Sequence, residues 1–217
     1  MNSLRRDHLD KLLKSNISTF KGKVLDVGGK KTNRKGSFVP PKKNIISWKY
    51  VNLDESTMPD IISSVENMPI ENSSIDIVIM TELIEYLQHP SLVFKEVHRI
   101  LKNKGRVIIS SPLIHPIHGD SWEDRYRFTD VKLKEYVEVA GLKILLMEPM
   151  GSLGSVIFDI LRASIGYAGN GKNKRFRNLL LRALKPFFKF IDILSKDQKK
   201  YINTGYFVVA EKDKINE

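Results

Sequence analysis

The chain has 217 residues, no cysteine and a formal net charge of +11 at pH 7. Without cysteine there is no disulfide framework, no thiolate zinc site and no nucleophilic cysteine, which excludes several classes of enzyme. Because 41% of the residues are hydrophobic, the chain can bury a full core, and we expect one domain over residues 1–217. Its longest apolar runs are shorter than the ~20 residues that span a bilayer, and its polar start lacks the apolar centre of a signal peptide. We therefore expect a cytoplasmic protein.

The first twenty residues predict a short amphipathic helix that caps the core, because leucines alternate with charges at helical spacing over residues 3–15. A strand with a glycine turn follows, in the sequence KVLDVGG over residues 23–29. Residues 30–47 hold two prolines and five lysines where a doubly wound fold normally places its first crossover helix, so we expect an irregular loop there. The phosphates of a dinucleotide bind at a helix amino terminus at this point of the fold, so the predicted loop argues against a dinucleotide cofactor.

Further along, strands and helices alternate, which predicts a parallel α/β sheet. Apolar runs at 49–53 and 75–80 predict two strands, and 60–69 a short strand with a turn. Residues 91–102 predict a helix followed by Gly105, and residues 130–140 a helix closed by Gly141. Strands are predicted at 106–110, 142–146 and 206–211. The core is thus expected over 21–150 and 201–212, with an insertion over 151–200.

Four stretches in order, VLDVGG, YVNLDES, ENMPIENSSIDIVIMTELIEYLQHP and EVHRILKNKGRVIISSP, give the chain a family resemblance over residues 22–112. In that order they resemble class I S-adenosylmethionine-dependent methyltransferases. The resemblance implies a Rossmann-like, mostly parallel seven-stranded sheet with helices on both faces and an antiparallel last strand. It also implies S-adenosylmethionine as the cofactor, which has no phosphate and tolerates the loop at 30–47.

The resemblance assigns cofactor-binding roles to seven residues. Asp26, Gly28 and Gly29 form the first motif and would hold the methionine end of the cofactor. Asp54, the acidic residue after the second strand, would bind the ribose hydroxyls. Ser64 and Val65 would contact the adenine, and Glu82 would line the cofactor. Three positions depart from the family pattern, namely Lys30, Ser64 and Tyr86. The alternative interpretation of Asp54 is that of a turn residue.

Residues 111–129, SPLIHPIHGDSWEDRYRFT, crowd titratable and aromatic side chains directly after a strand, where active-site loops lie. We expect His118 to be the general base, because an unperturbed imidazole titrates near neutrality. Asp124 would orient His118, and Arg127 would bind an anionic group of the substrate. The alternatives are a surface histidine and a structural Asp124–Arg127 ion pair before the next helix. No metal is expected, since HPIH lacks a recognised ligand spacing. This loop is similar to that of methyltransferases found among sugar and polysaccharide biosynthesis proteins.

Residues 172–200 contain ten Lys or Arg and two Asp, and so supply +8 of the +11 net charge. Apolar side chains form a broad face interrupted by Pro186, opposite basic residues. A basic amphipathic helix can lie in a membrane interface. The sequence leaves two interpretations open: a lid helix packed on the core, or a contact with the inner face of the membrane that gives access to a lipid-linked saccharide.

Taken together, the sequence predicts an S-adenosylmethionine-dependent methyltransferase that acts on a hydroxyl of a small-molecule or saccharide-containing acceptor. One alternative is a degenerate, non-catalytic interaction protein, suggested by Lys30, Ser64 and Tyr86. Another is a nucleic-acid methyltransferase, suggested by the basic balance. The chain has no Asn-Pro-Pro-aromatic signature for a flipped base, and its basic residues cluster on one amphipathic stretch, which makes nucleic acid the weaker partner.

Overall fold

The structure is a computed structural model that describes residues 2–31, 36–117, 123–167 and 174–213. The chain forms five α-helices and seven β-strands among these residues: α1 Leu4–Ser15, β1 Gly22–Val27, β2 Ile45–Asn52, β3 Ile61–Ile62, β4 Ile75–Thr81, α2 Pro90–Ile100, β5 Leu101–Pro112, α3 Asp130–Val139, β6 Leu142–Pro149, α4 Leu153–Tyr167, α5 Lys174–Leu194 and β7 Gly205–Lys212.

All seven strands form one sheet in the order β3-β2-β1-β4-β5-β7-β6. β7 runs antiparallel to both β5 and β6, and the other neighbours pair in parallel. The predicted Rossmann-like sheet with an antiparallel last strand is confirmed. The topological switch point lies between β1 and β4, because the strand order proceeds from these two strands in opposite directions. In such sheets, ligands bind at the switch point, beyond the carboxyl ends of the strands.

The sheet has an apolar core on each of its two faces. Residues of α2 and α3, such as Phe94 and Leu133, pack on one face. On the other face, Leu9 and Leu13 of α1 pack with Phe38 and with strand residues. The amino-terminal helix therefore covers one whole core, because without it that face would expose its β-branched side chains to water.

The connection between β1 and β2 contains no helix among its described residues, 28–31 and 36–44. This agrees with the expectation of an irregular loop. The following strand begins at Ile45, four residues before the predicted apolar run, because Ile45 and Trp48 also pack on the core under α1.

Two other boundaries differ from prediction. Helix α2 ends at Ile100, so Gly105 does not end it but lies inside β5, which begins at Leu101. An ideal Cβ at Gly105 would lie 2.8 Å from the carbonyl oxygen of Lys102, and this close backbone approach explains the glycine.

Two packed helices, α4 and α5, form the insertion between β6 and β7. Helix α5 continues through Pro186, which was expected to interrupt its apolar face. Leu181 and Phe188 are buried against α4 and α1, together with Leu4 and Phe158. Among the described residues, no helix is both long and apolar enough to cross a membrane.

Candidate functional site

The carboxyl ends of β1, β2, β4 and β5 bring the predicted cofactor residues to one edge of the sheet. Asp26 is the second-to-last residue of β1 and is buried. An ideal Cβ at Gly29 would lie 2.3 Å from Asp26 Oδ1, so only glycine lets the chain pass this carboxylate. Gly28 has a φ of +73° and donates its backbone N–H to the Val51 carbonyl at 2.8 Å. The glycine turn is therefore tied to β2 and shaped around a buried acid.

Asp54 follows β2 as expected and is exposed. Its Oδ1 accepts a hydrogen bond of 2.9 Å from the backbone N–H of Ser56, and it thereby caps the short turn Glu55–Thr57. Hydrogen bonding to Ser56, first to its side chain and then to its backbone N–H, is the main reason why the pKa of the Asp54 carboxyl is lowered, and the nearby charge of Lys30 lowers it further. Asp54 is thus an oriented, ionised acceptor at the sheet edge, and the capping contact also matches the turn role that the sequence left open.

Ser64 and Val65 lie after β3, on the side of the edge beyond Asp54. Val65 packs into the core, and Ser64 Oγ accepts a hydrogen bond of 3.2 Å from the Glu66 amide. Lys31, just after the glycine turn, is paired with Asp60 at the start of this segment. The first loop and the segment expected to contact adenine are therefore held together.

Glu82 follows β4, and both of its carboxylate oxygens are bound by the protein. Ser110 Oγ, at the end of β5, donates to Oε1 at 2.6 Å, and Arg5 Nη1 of α1 donates to Oε2. Arg5 was not predicted as a site residue, because in the sequence it is only one of several charges on an amphipathic helix.

Around Arg5 the structure gathers several charged groups. Burial lowers the pKa of the Arg5 guanidinium to about 10, although Glu85 and Asp159 favour its charged form. The neighbouring Tyr86 phenol, half-buried beside Glu85, has its pKa raised to about 12, chiefly by burial. Arg5 is therefore charged and Tyr86 neutral at neutral pH.

The loop after β5 carries the predicted catalytic residues. Arg127 donates to both carboxylate oxygens of Asp124, with Nη2 at 2.7 Å from Oδ2, and this bond is the main cause of the raised pKa of Arg127. The Asp124 side chain is fully buried, whereas that of Arg127 is 25% exposed. This is the geometry of the structural pair that the sequence left open as an alternative. His118 lies outside the described residues.

Hydrogen bonds also fix the start of α3 and the segment just before it. Thr129 Oγ1 accepts from the Lys132 amide and begins α3, as the sequence indicated. The amides of Arg125 and Tyr126 donate to the Glu85 carbonyl at 2.9 and 3.1 Å. The loop after β5 and the segment after β4 thus lie against each other at the same edge.

A cavity of about 460 Å³ lies instead at the opposite edge, at the amino ends of β4 and β5, lined by residues such as Asp76 and Arg106. Parallel sheets bind ligands beyond their carboxyl ends. We therefore assign the site to the edge that carries the glycine turn, not to this cavity.

The residues at the carboxyl edge fit S-adenosylmethionine. The glycine turn leaves room for a close backbone approach, and no helix begins within the described part of the loop to hold a phosphate. Carboxylates of Asp26 and Asp54 suit a ligand that carries a sulfonium, an ammonium and two adjacent ribose hydroxyls.

Comparisons with known proteins agree with this architecture. Residues 44–109 match the profile of a family described as "Methyltransferase domain". No curated protein matches the sequence. Among solved structures, the [4+2]-cyclase SpnF is similar at a TM-score of 0.59 and 18% identity, over 95% of this chain and 80% of that chain.

Two methyltransferase structures are similar as well. Geranyl diphosphate C-methyltransferase from Streptomyces coelicolor A3(2) gives a TM-score of 0.61 at 11% identity, over 95% of this chain and 79% of that one. Phosphoethanolamine N-methyltransferase 2 of Haemonchus contortus, in complex with S-adenosyl-L-methionine, gives 0.58 at 16% identity, over 95% of this chain and 52% of that one. At these identities the structures share the fold.

Proposed function

We propose that the chain is a class I S-adenosylmethionine-dependent methyltransferase, and that it transfers a methyl group from this cofactor to a hydroxyl of a small-molecule or saccharide-containing acceptor. The matched methyltransferase domain over residues 44–109 and the sheet topology support the proposal. The observation that carries the proposal is the carboxyl edge of two adjacent parallel strands, where Asp26 lies near the end of β1, the glycine turn follows β1, and Asp54 follows β2. When bound, the cofactor supplies an electrophilic methyl group on a sulfonium.

We assign the residues of this edge to the cofactor as follows. The turn at Gly28 and Gly29, backed by Asp26, receives the methionine half, and Asp54 accepts hydrogen bonds from the ribose hydroxyls. Ser64 and Val65 contact the adenine. Glu82 lines the site without a free carboxylate oxygen, since Arg5 and Ser110 occupy both.

We assign the proton transfer to His118, whose imidazole takes the acceptor's hydroxyl proton as the oxygen attacks the methyl group. The Asp124–Arg127 pair then has two tasks. It holds residues 124–127 of the loop after β5 together, and it presents a partly exposed guanidinium to an anionic group of the acceptor. Methyl transfer needs alignment and a single base, so these residues suffice for the reaction.

Calorimetric titration of S-adenosylmethionine tests the cofactor assignment. We expect micromolar binding that Asp54→Ala weakens, because the ribose acceptor is lost. Lys134→Ala, an exposed change on α3, should leave the binding unchanged. Absence of binding to the wild type would refute the function and favour the non-catalytic alternative. His118→Gln should bind the cofactor normally yet lose transfer in a screen of hydroxylated and lipid-linked acceptors, whereas unchanged transfer would remove His118 from the mechanism.

We also propose that α5 contacts an anionic membrane surface. Its inward side chains pack on α4, yet a second row of large apolar side chains faces outward and is exposed by 40 to 71%: Phe176, Leu179, Leu180, Phe187, Phe190, Ile193 and Leu194. Exposed basic residues flank this row, including Arg175, Arg182 and Lys189. An apolar stripe beside cations is what an interfacial helix presents to anionic lipid headgroups.

The position of α5 links this surface to the reaction. β6 ends, and β7 begins, at the same sheet edge as the cofactor residues, because β6 runs parallel to β5 and β7 runs against both. The insertion therefore rises from the edge where the acceptor binds. A membrane contact there would give the site access to an acceptor carried by a lipid.

Vesicle co-sedimentation tests the contact. The pair Arg182→Gln and Lys189→Gln should lower partitioning onto anionic vesicles about 30-fold, since each cation contributes about 1 kcal/mol near such a surface. The matched pair Lys132→Gln and Lys134→Gln on α3 should leave it unchanged. Equal partitioning of wild type and variant, or a concentration-dependent self-association that Phe187→Ser abolishes, would overturn the proposal.

A further inference from the structure

Arg5 lies where helix α1 meets the cofactor edge, and it is fixed at both its backbone and its side chain. The backbone amides of Leu4 and Arg5 donate to the carboxylate of Asp159 on α4, at 2.7 and 3.0 Å. The guanidinium, with only 7% of the side chain exposed, donates to Glu82 Oε2. One residue thus joins the insertion to the end of β4.

Glu82 needs this clamp because its backbone is left-handed, with a φ of +56°. A side chain with a Cβ adopts that conformation only where the surrounding contacts enforce it. Ser110 supplies some of them: its carbonyl accepts the Glu82 amide at 3.1 Å, and its hydroxyl donates to Glu82 Oε1. Arg5 supplies the remaining contact, on the other carboxylate oxygen.

The conformation of Glu82 determines where the next side chain lies. Leu83 packs directly on the glycine turn, because an ideal Cβ at Gly28 would lie 2.7 Å from Leu83 Cδ1. If the chain at Glu82 relaxed to an extended conformation, Leu83 would leave this position and the turn would lose the wall against which it packs. The contacts therefore run without a break from Asp159 through Arg5 and Glu82 to Gly28.

We propose that Arg5 is a positioning residue for the cofactor turn: anchored by Asp159, it clamps Glu82 and so sets Leu83 against Gly28. The half-site for the methionine end of the cofactor is complete only when α1 is docked. The adenosine half, at Asp54 and beyond, does not depend on this clamp. This inference rests on the proposed binding of S-adenosylmethionine.

The test compares S-adenosylmethionine with adenosine, which lacks the methionine half, by calorimetry on the full chain. We expect Arg5→Met and Glu82→Gln to weaken S-adenosylmethionine binding about tenfold, a size typical of coupling between neighbouring sites. Adenosine affinity should stay within about twofold. Lys11→Met, which removes an exposed cation from the same helix, should change neither, and Arg5→Lys should restore part of the loss because it keeps the charge without the fork.

The outcomes separate this inference from the proposed function. Equal weakening of both ligands would show a general structural role and overturn the inference, as would unchanged S-adenosylmethionine affinity in both variants. Wild-type protein that binds neither ligand would refute the proposed function itself. Should Arg5→Met fail to fold, Glu82→Gln preserves the test, since the amide has the shape of the carboxylate but lacks its charge.

Discussion

Asp192, near the end of α5, ties three helices together through one carboxylate. Oδ1 accepts hydrogen bonds from the amides of Ser152 and Ser155 at 3.1 and 2.8 Å and from the Ser152 hydroxyl at 2.8 Å. Oδ2 lies 3.1 Å from His8 Nε2 on α1 and accepts from the Ser155 hydroxyl. We predict that Asp192→Asn destabilises the protein in a pH-dependent way.

The magnitude follows from the pKa. Burial opposes ionisation of Asp192, but hydrogen bonds from His8 and Ser155 outweigh it and lower the pKa from 3.8 to about 2. A depressed carboxyl pKa stabilises the folded state above the unfolded-state pKa, and the contribution is lost as the pH falls towards the folded-state pKa. The ionised group thus contributes about 2 kcal/mol at neutral pH and roughly half of that at pH 3.

Urea unfolding of wild type and Asp192→Asn at pH 7, 5, 4 and 3 measures this contribution as the difference in the free energy of unfolding. The difference should be largest at pH 7 and 5 and shrink below pH 4. Asp197→Asn, an exposed change close by, is the control and should give a small difference. A difference for Asp192→Asn that stays constant from pH 7 to pH 3 would refute the reasoning, because the loss would then come from packing and not from the charge.

Two glycines give further predictions. Gly29→Ala should weaken S-adenosylmethionine binding by about tenfold or more in calorimetry, because its Cβ would displace the Asp26 carboxylate; unchanged affinity would remove the turn from the cofactor site. Gly154→Ala should lower the free energy of unfolding by about 1–3 kcal/mol, since its Cβ would lie 2.1 Å from the Phe188 carbonyl oxygen where α4 crosses α5. Ser164→Ala, exposed on α4, is its control, and an equal effect of both changes would contradict the crossing as the cause.

Local sequence patterns predicted the sheet, because each strand is marked by an apolar run of a few residues. The run of β4 is apolar on both faces, as a central parallel strand must be, and the glycines after β1 mark a turn that passes close to Asp26. Gly141 likewise marked the end of α3. These features depend on neighbours in sequence, and so the sequence alone revealed them.

The clamp at Arg5 was not predictable in the same way. Its partner Glu82 is 77 residues distant, and periodicity shows only that Arg5 lies on an amphipathic helix. The sequence analysis also predicted one broad apolar face for α5, where the structure has two. The pattern shows which side chains are apolar but not which of them α4 will cover. Long-range packing decided both cases.

The shared fold does not identify the acceptor. SpnF, a [4+2]-cyclase, has the same architecture as the methyltransferases to which the chain is similar, so the sheet by itself does not determine the reaction. What distinguishes this chain must lie outside the common strands, in the loop after β5, in α1 and in the insertion. All three meet at one edge: Glu85 binds the loop, Arg5 binds the end of β4, and Asp159 binds α1. A search for the acceptor is therefore best made with the insertion intact and with lipid present, since removing α4 and α5 would also release the helix that holds Glu82 in place.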